Sequence, residues 1–207
     1  MISGASRAAR PIFGFAFLAG LATCFLAGFP AAAGEGEAPR GAPPPEPAGY
    51  RMEDYRSPTP LTLKGARVVG TPEAEALWRD RRAVFIDTMP RDVKPANLPA
   101  GTVWRDRPRD HVPGSAWLAN VGYGETSPEI TGYFRSSLDA LSGGDKARTL
   151  LFYCRADCWM SWNAAKRAME WGYSDVVWYP DGSDGWAEAG LSLEPAKPYE
   201  LPKNVAP

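Results

Sequence analysis

Thr149-Leu-Leu-Phe-Tyr-Cys154-Arg-Ala-Asp-Cys158-Trp-Met-Ser161-Trp-Asn-Ala-Ala-Lys-Arg-Ala168 is the stretch on which the reading of this chain turns. An apolar run stops at a cysteine, a short loop carries a second cysteine, and a helical pattern opens at Ser161. A strand–loop–helix unit of this kind directs loop amides at one spot, where the helix dipole favours negative charge. A thiol held there has its pKa lowered, and the thiolate is the reactive form of cysteine. Cys154 is therefore a candidate for sulfur chemistry, with Cys158 as its assistant or regulator.

The flanks of this unit repeat its pattern. Upstream, Thr71-Pro72-Glu73 reads as a helix start with a capping hydroxyl, and the helix is expected to reach about Arg82 while packing Ala74, Leu77 and Trp78. Ala83-Val-Phe-Ile-Asp87 is short, apolar and without alternation, as in a buried parallel strand, and it ends at an acid. Ala66–Val69 is a further strand candidate. From Met89 to Pro113 there is no periodicity, and a loop of that length inside a domain is often functional. A Pro-Gly turn in His111–Leu118 then delivers another strand. Ser127-Pro128-Glu129 opens a second capped helix, with Ile130, Phe134, Leu138 and Leu141 on one face and Gly143-Gly144 as its stop. Downstream, the cysteine helix ends near Trp171-Gly172, Asp175–Tyr179 is a strand, and Gly182–Gly190 gives a turn and a single helical turn. Strands alternating with helices predict an α/β fold, a mostly parallel central sheet covered on both faces. Ligands of such sheets sit beyond the strand C-terminal ends, where Cys154 falls.

At 207 residues, with 21 Gly and 21 Pro, the chain suits one domain with loose extensions. Arg7 and Arg10, the apolar run from Pro11 to Phe29 and Ala31-Ala32-Ala33 make residues 1–33 a signal peptide cleaved after Ala33; an uncleaved anchor is the alternative, and lipidation at Cys24 a lesser one. Residues 34–60, rich in Gly, Pro and Glu, read as a flexible leader, 61–195 as the domain and 196–207 as an extended tail. Without the signal only Cys154 and Cys158 remain, in an oxidising compartment that permits a disulfide, a redox couple or both. A net charge of −1 argues against nucleic acid or an anionic membrane surface as partner.

Phe85-Ile-Asp87, His111-Val-Pro-Gly114-Ser-Ala-Trp-Leu, Phe152-Tyr-Cys154 and Gly182 through Trp186-Ala-Glu-Ala-Gly190-Leu fall in the order and spacing of a rhodanese-like domain. The Cys154-x-x-x-Cys158-Trp159 loop, with Trp-Tyr-Pro-Asp-Gly182 downstream, further resembles exported C-x-x-x-C-W proteins associated with pyrroloquinoline-quinone (PQQ)-dependent alcohol catabolism. The resemblance implies a single rhodanese-like domain in the periplasm, beside quinoprotein dehydrogenases and c-type cytochromes. It makes Cys154 the persulfide-carrying nucleophile. The amides of Arg155, Ala156, Asp157, Cys158, Trp159 and Met160, with the helix start at Ser161, would cradle the persulfide anion. Asp87 and His111 match positions that brace the loop and fold. The loop departs from common single-domain sulfurtransferases in being about one residue longer, and in setting Asp157 against Arg155, which leaves thiosulfate poorly favoured as donor.

Cys158 stays open among resolving thiol, disulfide partner and packing residue; a bridge requires the two Cα atoms to lie within about 7 Å. Haem attachment needs C-x-x-C-H, and Trp159 follows the second cysteine here. A lone histidine supports neither a zinc site nor Cys–His hydrolysis, so no metal and no cofactor is expected, and His111 reads as a hydrogen-bonding brace of its turn. Trp171 and Trp178 suit the core, while Trp159 and Trp162 are either core or a docking wall beside the loop. The functional alternatives are a sulfurtransferase, a thiol–disulfide oxidoreductase, and a non-catalytic binding module with a fixed Cys154–Cys158 disulfide. Partners would be a small sulfur donor or acceptor, or a redox protein such as a quinoprotein dehydrogenase or cytochrome c, with no membrane association once the signal is removed.

Overall fold

Strands buried on both faces must alternate their side chains between two cores. In the computed structural model, which describes residues 42–202 apart from 93, 96 and 106, β5 (Leu150–Tyr153) and β6 (Val176–Tyr179) do so. Leu150, Phe152, Val176 and Trp178 enter one core; Leu151, Tyr153, Val177 and Tyr179 enter the other. β2 (Val84–Asp87) divides Ile86 and Phe85 in the same way. With β1 (Arg67–Val68) and β4 (Ala116–Trp117) these strands form a five-stranded sheet of order β1-β6-β5-β2-β4, parallel at every pairing. The first core receives α2 (Pro128–Ser142) through Phe134 and Leu138, and α3 (Trp159–Glu170) through Trp162 and Ala165. The second receives α1 (Thr71–Arg79) through Ala74 and Leu77, and α4 (Gly182–Glu188) through Trp186. The expected α/β class, with helices on both faces, is the observed one. A two-stranded ribbon, β3 (Asp110–His111) antiparallel to β7 (Glu194–Pro195), completes the elements.

Local signals explain α2 well: Ser127 Oγ accepts from the Ile130 amide, and Gly143 ends the helix at φ 68°. α1 departs from expectation. Its N-cap is Gly70, and the Thr71 hydroxyl bonds instead to the Tyr179 hydroxyl at 2.8 Å; the helix stops at Arg79, and Trp78 remains partly exposed with Nε1 donating to Pro113 O. α3 begins at Trp159, before Ser161, and α4 is longer than the single turn expected.

Two segments read as loose in sequence are held in place. From residue 50 to its expected end at 60 the leader lies on α3: Asn163 accepts from the Arg51 amide and donates to Arg51 O, and Trp159 Nε1 donates to Ser57 Oγ and Pro58 O, while just beyond it Trp162 Nε1 donates to Thr62 O. The tail is tied at Ala196 N to Arg109 O and at Tyr199 N to Trp117 O. Sparse aromatics and prolines do not announce such anchoring, which arises over α3 from backbone groups meeting indole and amide side chains and in the tail from main-chain pairs. Among the described residues no helix is long and apolar enough to cross a membrane. The signal, anchor and Cys24 readings lie outside the described residues.

Candidate functional site

β5 runs into the cysteine loop at the C-terminal edge of the sheet. Cys154 is fully buried, Cys158 nearly so, and the two form a disulfide with Cα atoms 6.2 Å apart. Asp157, between them, takes a left-handed conformation at φ 53°, which curls the loop so that residues four apart can meet. The disulfide packs with Met160, Tyr55 and Met89, and Met89 Sδ lies 3.5 Å from Cys154 Sγ.

The loop hangs on a half-buried cation that sequence reasoning missed. Arg109 donates from Nε and Nη2 to the two carboxylate oxygens of Asp87 at 2.8 and 3.1 Å, from Nη2 to Cys154 O at 3.1 Å, and from Nη1 to Ser183 Oγ at 3.0 Å. The Ser183 amide donates a second bond to Cys154 O at 3.0 Å. Asp87, wholly buried at the end of β2, thus reaches the cysteine through Arg109. Burial pushes its carboxyl pKa up and Arg109 opposes the rise. A buried acid needs a partner, and that need was the available sequence signal. Which of the loop's arginines answers it is decided by the fold.

The brace assigned to His111 falls mainly to Tyr153, whose hydroxyl accepts from the Val112 amide at 3.0 Å and donates to Ser115 Oγ at 2.8 Å. His111 Nδ1 is buried without a hydrogen-bond partner, 3.9 Å from Asp87 Oδ2, and Nε2 is 3.6 Å from Glu194 Oε1. Burial lowers the His111 pKa, an effect only partly offset by the carboxylates of Asp87 and Glu194. A histidine whose folded pKa lies below its unfolded one contributes stability present in full above about pH 6.5 and lost as pH falls through the folded value. Its Cε1 proton, the only one of its kind in the chain, is expected to titrate in NMR with a midpoint below about 6.5; a midpoint at or above that value contradicts a buried neutral ring.

The remaining loop residues are committed to packing and pairing. Arg155 Nε pairs with Asp184 at 3.2 Å, and Ala156 O accepts from Arg56 Nη1 at 2.8 Å. Ser161 Oγ accepts from Trp178 Nε1 at 3.0 Å. Met160 is buried, and Gly122 fits against its backbone so closely that a Cβ there would lie 2.2 Å from Met160 O. Trp159 and Trp162 are buried against each other, ring centres 5.5 Å apart, so neither is a docking wall. The expected amide cradle is incomplete, because the Trp159 amide donates to Tyr55 O at 3.0 Å. Beside Met89 and Arg155 opens a cavity of about 490 Å³ that also exposes Arg109. Among the described residues no cluster of three His, Cys, Asp or Glu side chains is placed to hold a metal.

A parallel sheet covered on both faces, with a disulfide-bonded cysteine just past the end of a central strand, defines an α/β domain whose candidate site lies at the C-terminal edge of the sheet. The family model "Rhodanese-like domain" matches residues 72–189, and the chain belongs to that family. Similar solved structures include the human single-domain sulfurtransferase TSTD1, at 20% identity and TM-score 0.34 over 59% of this chain and 96% of that one. An uncharacterized protein from Saccharomyces cerevisiae matches at 20% identity and TM-score 0.37, over 60% and 93% of the two chains. A polysulfide-sulfur transferase homodimer from Wolinella succinogenes matches at 17% and 0.40, over 64% and 80%. No curated protein matches the sequence.

Proposed function

We propose that this is a periplasmic sulfurtransferase in which Cys154, once released from Cys158, carries a sulfane sulfur as a persulfide. The observation that carries the reading is the position of Cys154 at the mouth of β5, its carbonyl held by Arg109 and the Ser183 amide. In the loading step the Cys154 thiolate attacks the sulfane sulfur of a donor, and the rest of the donor leaves with the bonding electron pair. An acceptor thiolate then attacks the outer sulfur and Cys154 leaves as thiolate. When the reduced protein is mixed with inorganic polysulfide, peptide mass spectrometry is expected to find one added sulfur on Cys154. Sulfur confined to Cys158, or no gain, overturns the assignment.

The disulfide itself also supports the second reading, a thiol–disulfide oxidoreductase. Burial of both sulfurs weighs against it, since exchange with a partner protein needs an accessible sulfur. A non-catalytic module is the third reading, and a disulfide resistant to mild thiols would favour it. The accessory role in PQQ-dependent alcohol oxidation, with a quinoprotein dehydrogenase or cytochrome c as partner, rests on the C-x-x-x-C-W motif and on the signal-like residues 1–33. Deleting the gene is expected to slow growth on alcohols and spare growth on sugars. Equal growth on both would count against that role.

A further inference from the structure

The cavity of about 490 Å³ beside the cysteine loop has a lining rich in arginine. Five arginines line it, Arg56, Arg91, Arg107, Arg109 and Arg155, against Asp92 and Asp110 of the same wall; Arg107 pairs with Asp92, and Asp87 and Asp184 outside the lining pair with Arg109 and Arg155, so a small positive excess remains. Met89 forms part of its wall and touches Cys154 Sγ from the other side, at 3.5 Å. The cations crowd one another: burial and the charge of Arg155 both lower the pKa of Arg56. A lining of this sign concentrates anions. The sulfurs beyond Met89 are almost wholly covered, Cys154 at 0% and Cys158 at 2% exposure, so only a small reagent can reach them after a modest shift of one flexible thioether. What it meets there is already oxidised.

Resting on the reading of Cys154 as the sulfur carrier, we infer that the cavity admits hydrosulfide, which opens the disulfide and makes the persulfide without any sulfane donor. The hydrosulfide sulfur attacks Cys154 Sγ, the S–S bond to Cys158 breaks, and Cys158 leaves with the electron pair as thiolate. The proton of hydrosulfide passes to Cys158. The disulfide gains two electrons and the incoming sulfur loses them, so the products are a Cys154 persulfide and a Cys158 thiol. Cys158 is thereby the built-in store of oxidising equivalents for loading. A second turnover requires a small two-electron thiol oxidant, such as a low-molecular-weight disulfide that the cavity can admit.

The test uses the oxidised protein with anaerobic sodium hydrosulfide as the sole reagent, followed by alkylation and peptide mass spectrometry. The expected product carries the extra sulfur on Cys154 and an alkylated thiol at Cys158. Extra sulfur on Cys158, or an intact disulfide, overturns the inference. Arg107→Met, which leaves the contacts of the cysteine loop intact, and separately raised ionic strength on the unaltered protein, are each expected to slow opening by hydrosulfide about fivefold while leaving opening by the small neutral trimethylphosphine unchanged. Equal slowing of both reagents, or of neither, also overturns it. The salt series decides the matter if the variant does not fold. The same preparation, reduced and given polysulfide, reports on Cys154 as carrier independently: loading there without loading by hydrosulfide retires this inference alone.

Discussion

Replacing Arg109 with leucine is expected to lower the unfolding free energy by about 3–5 kcal/mol, the usual cost of leaving one member of a buried ion pair uncompensated. Asp87 is fully buried, and Arg109 is the cation that pairs with both of its carboxylate oxygens, so the substitution leaves a buried carboxylate without its principal compensating charge. The loss should depend on pH. Asp87 already has a raised pKa, and removing Arg109 raises it further. For such an acid, stability is present below the unfolded pKa of about 3.9 and is lost as pH rises through the folded one. The deficit of the variant is thus smallest in acid and largest at neutrality. Asp87→Asn combined with Arg109→Leu should recover at least half of it, because an asparagine oxygen can still accept the Met89 amide. Denaturant unfolding of the three proteins at two pH values checks all of this. A single variant within about 1 kcal/mol of the parent would mean that the pair contributes only what exposed pairs do.

Gly182→Ala is expected to cost about 2–4 kcal/mol and to disturb the cysteine loop directly. Gly182 has φ 54°, and a Cβ there would lie 2.7 Å from Cys154 O and 2.8 Å from Arg155 Cα. Both neighbours are main chain, so the clash is relieved only by moving the segment that carries the disulfide. Gly190→Ala supplies the control. Gly190 has φ 74° with nothing within 4 Å of the added carbon, so only the left-handed backbone is penalised, at about 1–2 kcal/mol. The difference between the two variants isolates the steric part. Amide NMR shifts at Cys154 and Arg155 should move in the first variant and stay in the second. Equal costs and unmoved shifts would show that Gly182 is not a fulcrum of the loop.

The parts legible in sequence were those encoded locally. β5 was visible because four apolar residues ended at a cysteine, and α2 because Ser127, a one-sided apolar face and Gly143 agree. The disulfide was left open because its geometry depends on the backbone turn at Asp157, for which a non-glycine residue gives little warning. Arg109 was lost among the charges of an aperiodic loop, since its partners Asp87, Cys154 and Ser183 are distant in sequence. The start of α3 was misplaced by its hydroxyl: Ser161 serves the Trp178 indole, while main chain from the leader occupies the first turn. Trp159 and Trp162 could not be assigned to core or surface until that leader was seen to cover them.

The segment lying over α3 sets the order of synthesis against the order of assembly. Arg51 waits for Asn163, 112 residues later, and Thr62 for Trp162, 100 residues later. Such pairings close large loops and therefore form late. A chain still emerging from a ribosome presents this stretch long before its binding site exists. Its docking can only follow the synthesis of α3, and until then the first turn of that helix and its two indoles lack the cover that the folded protein gives them.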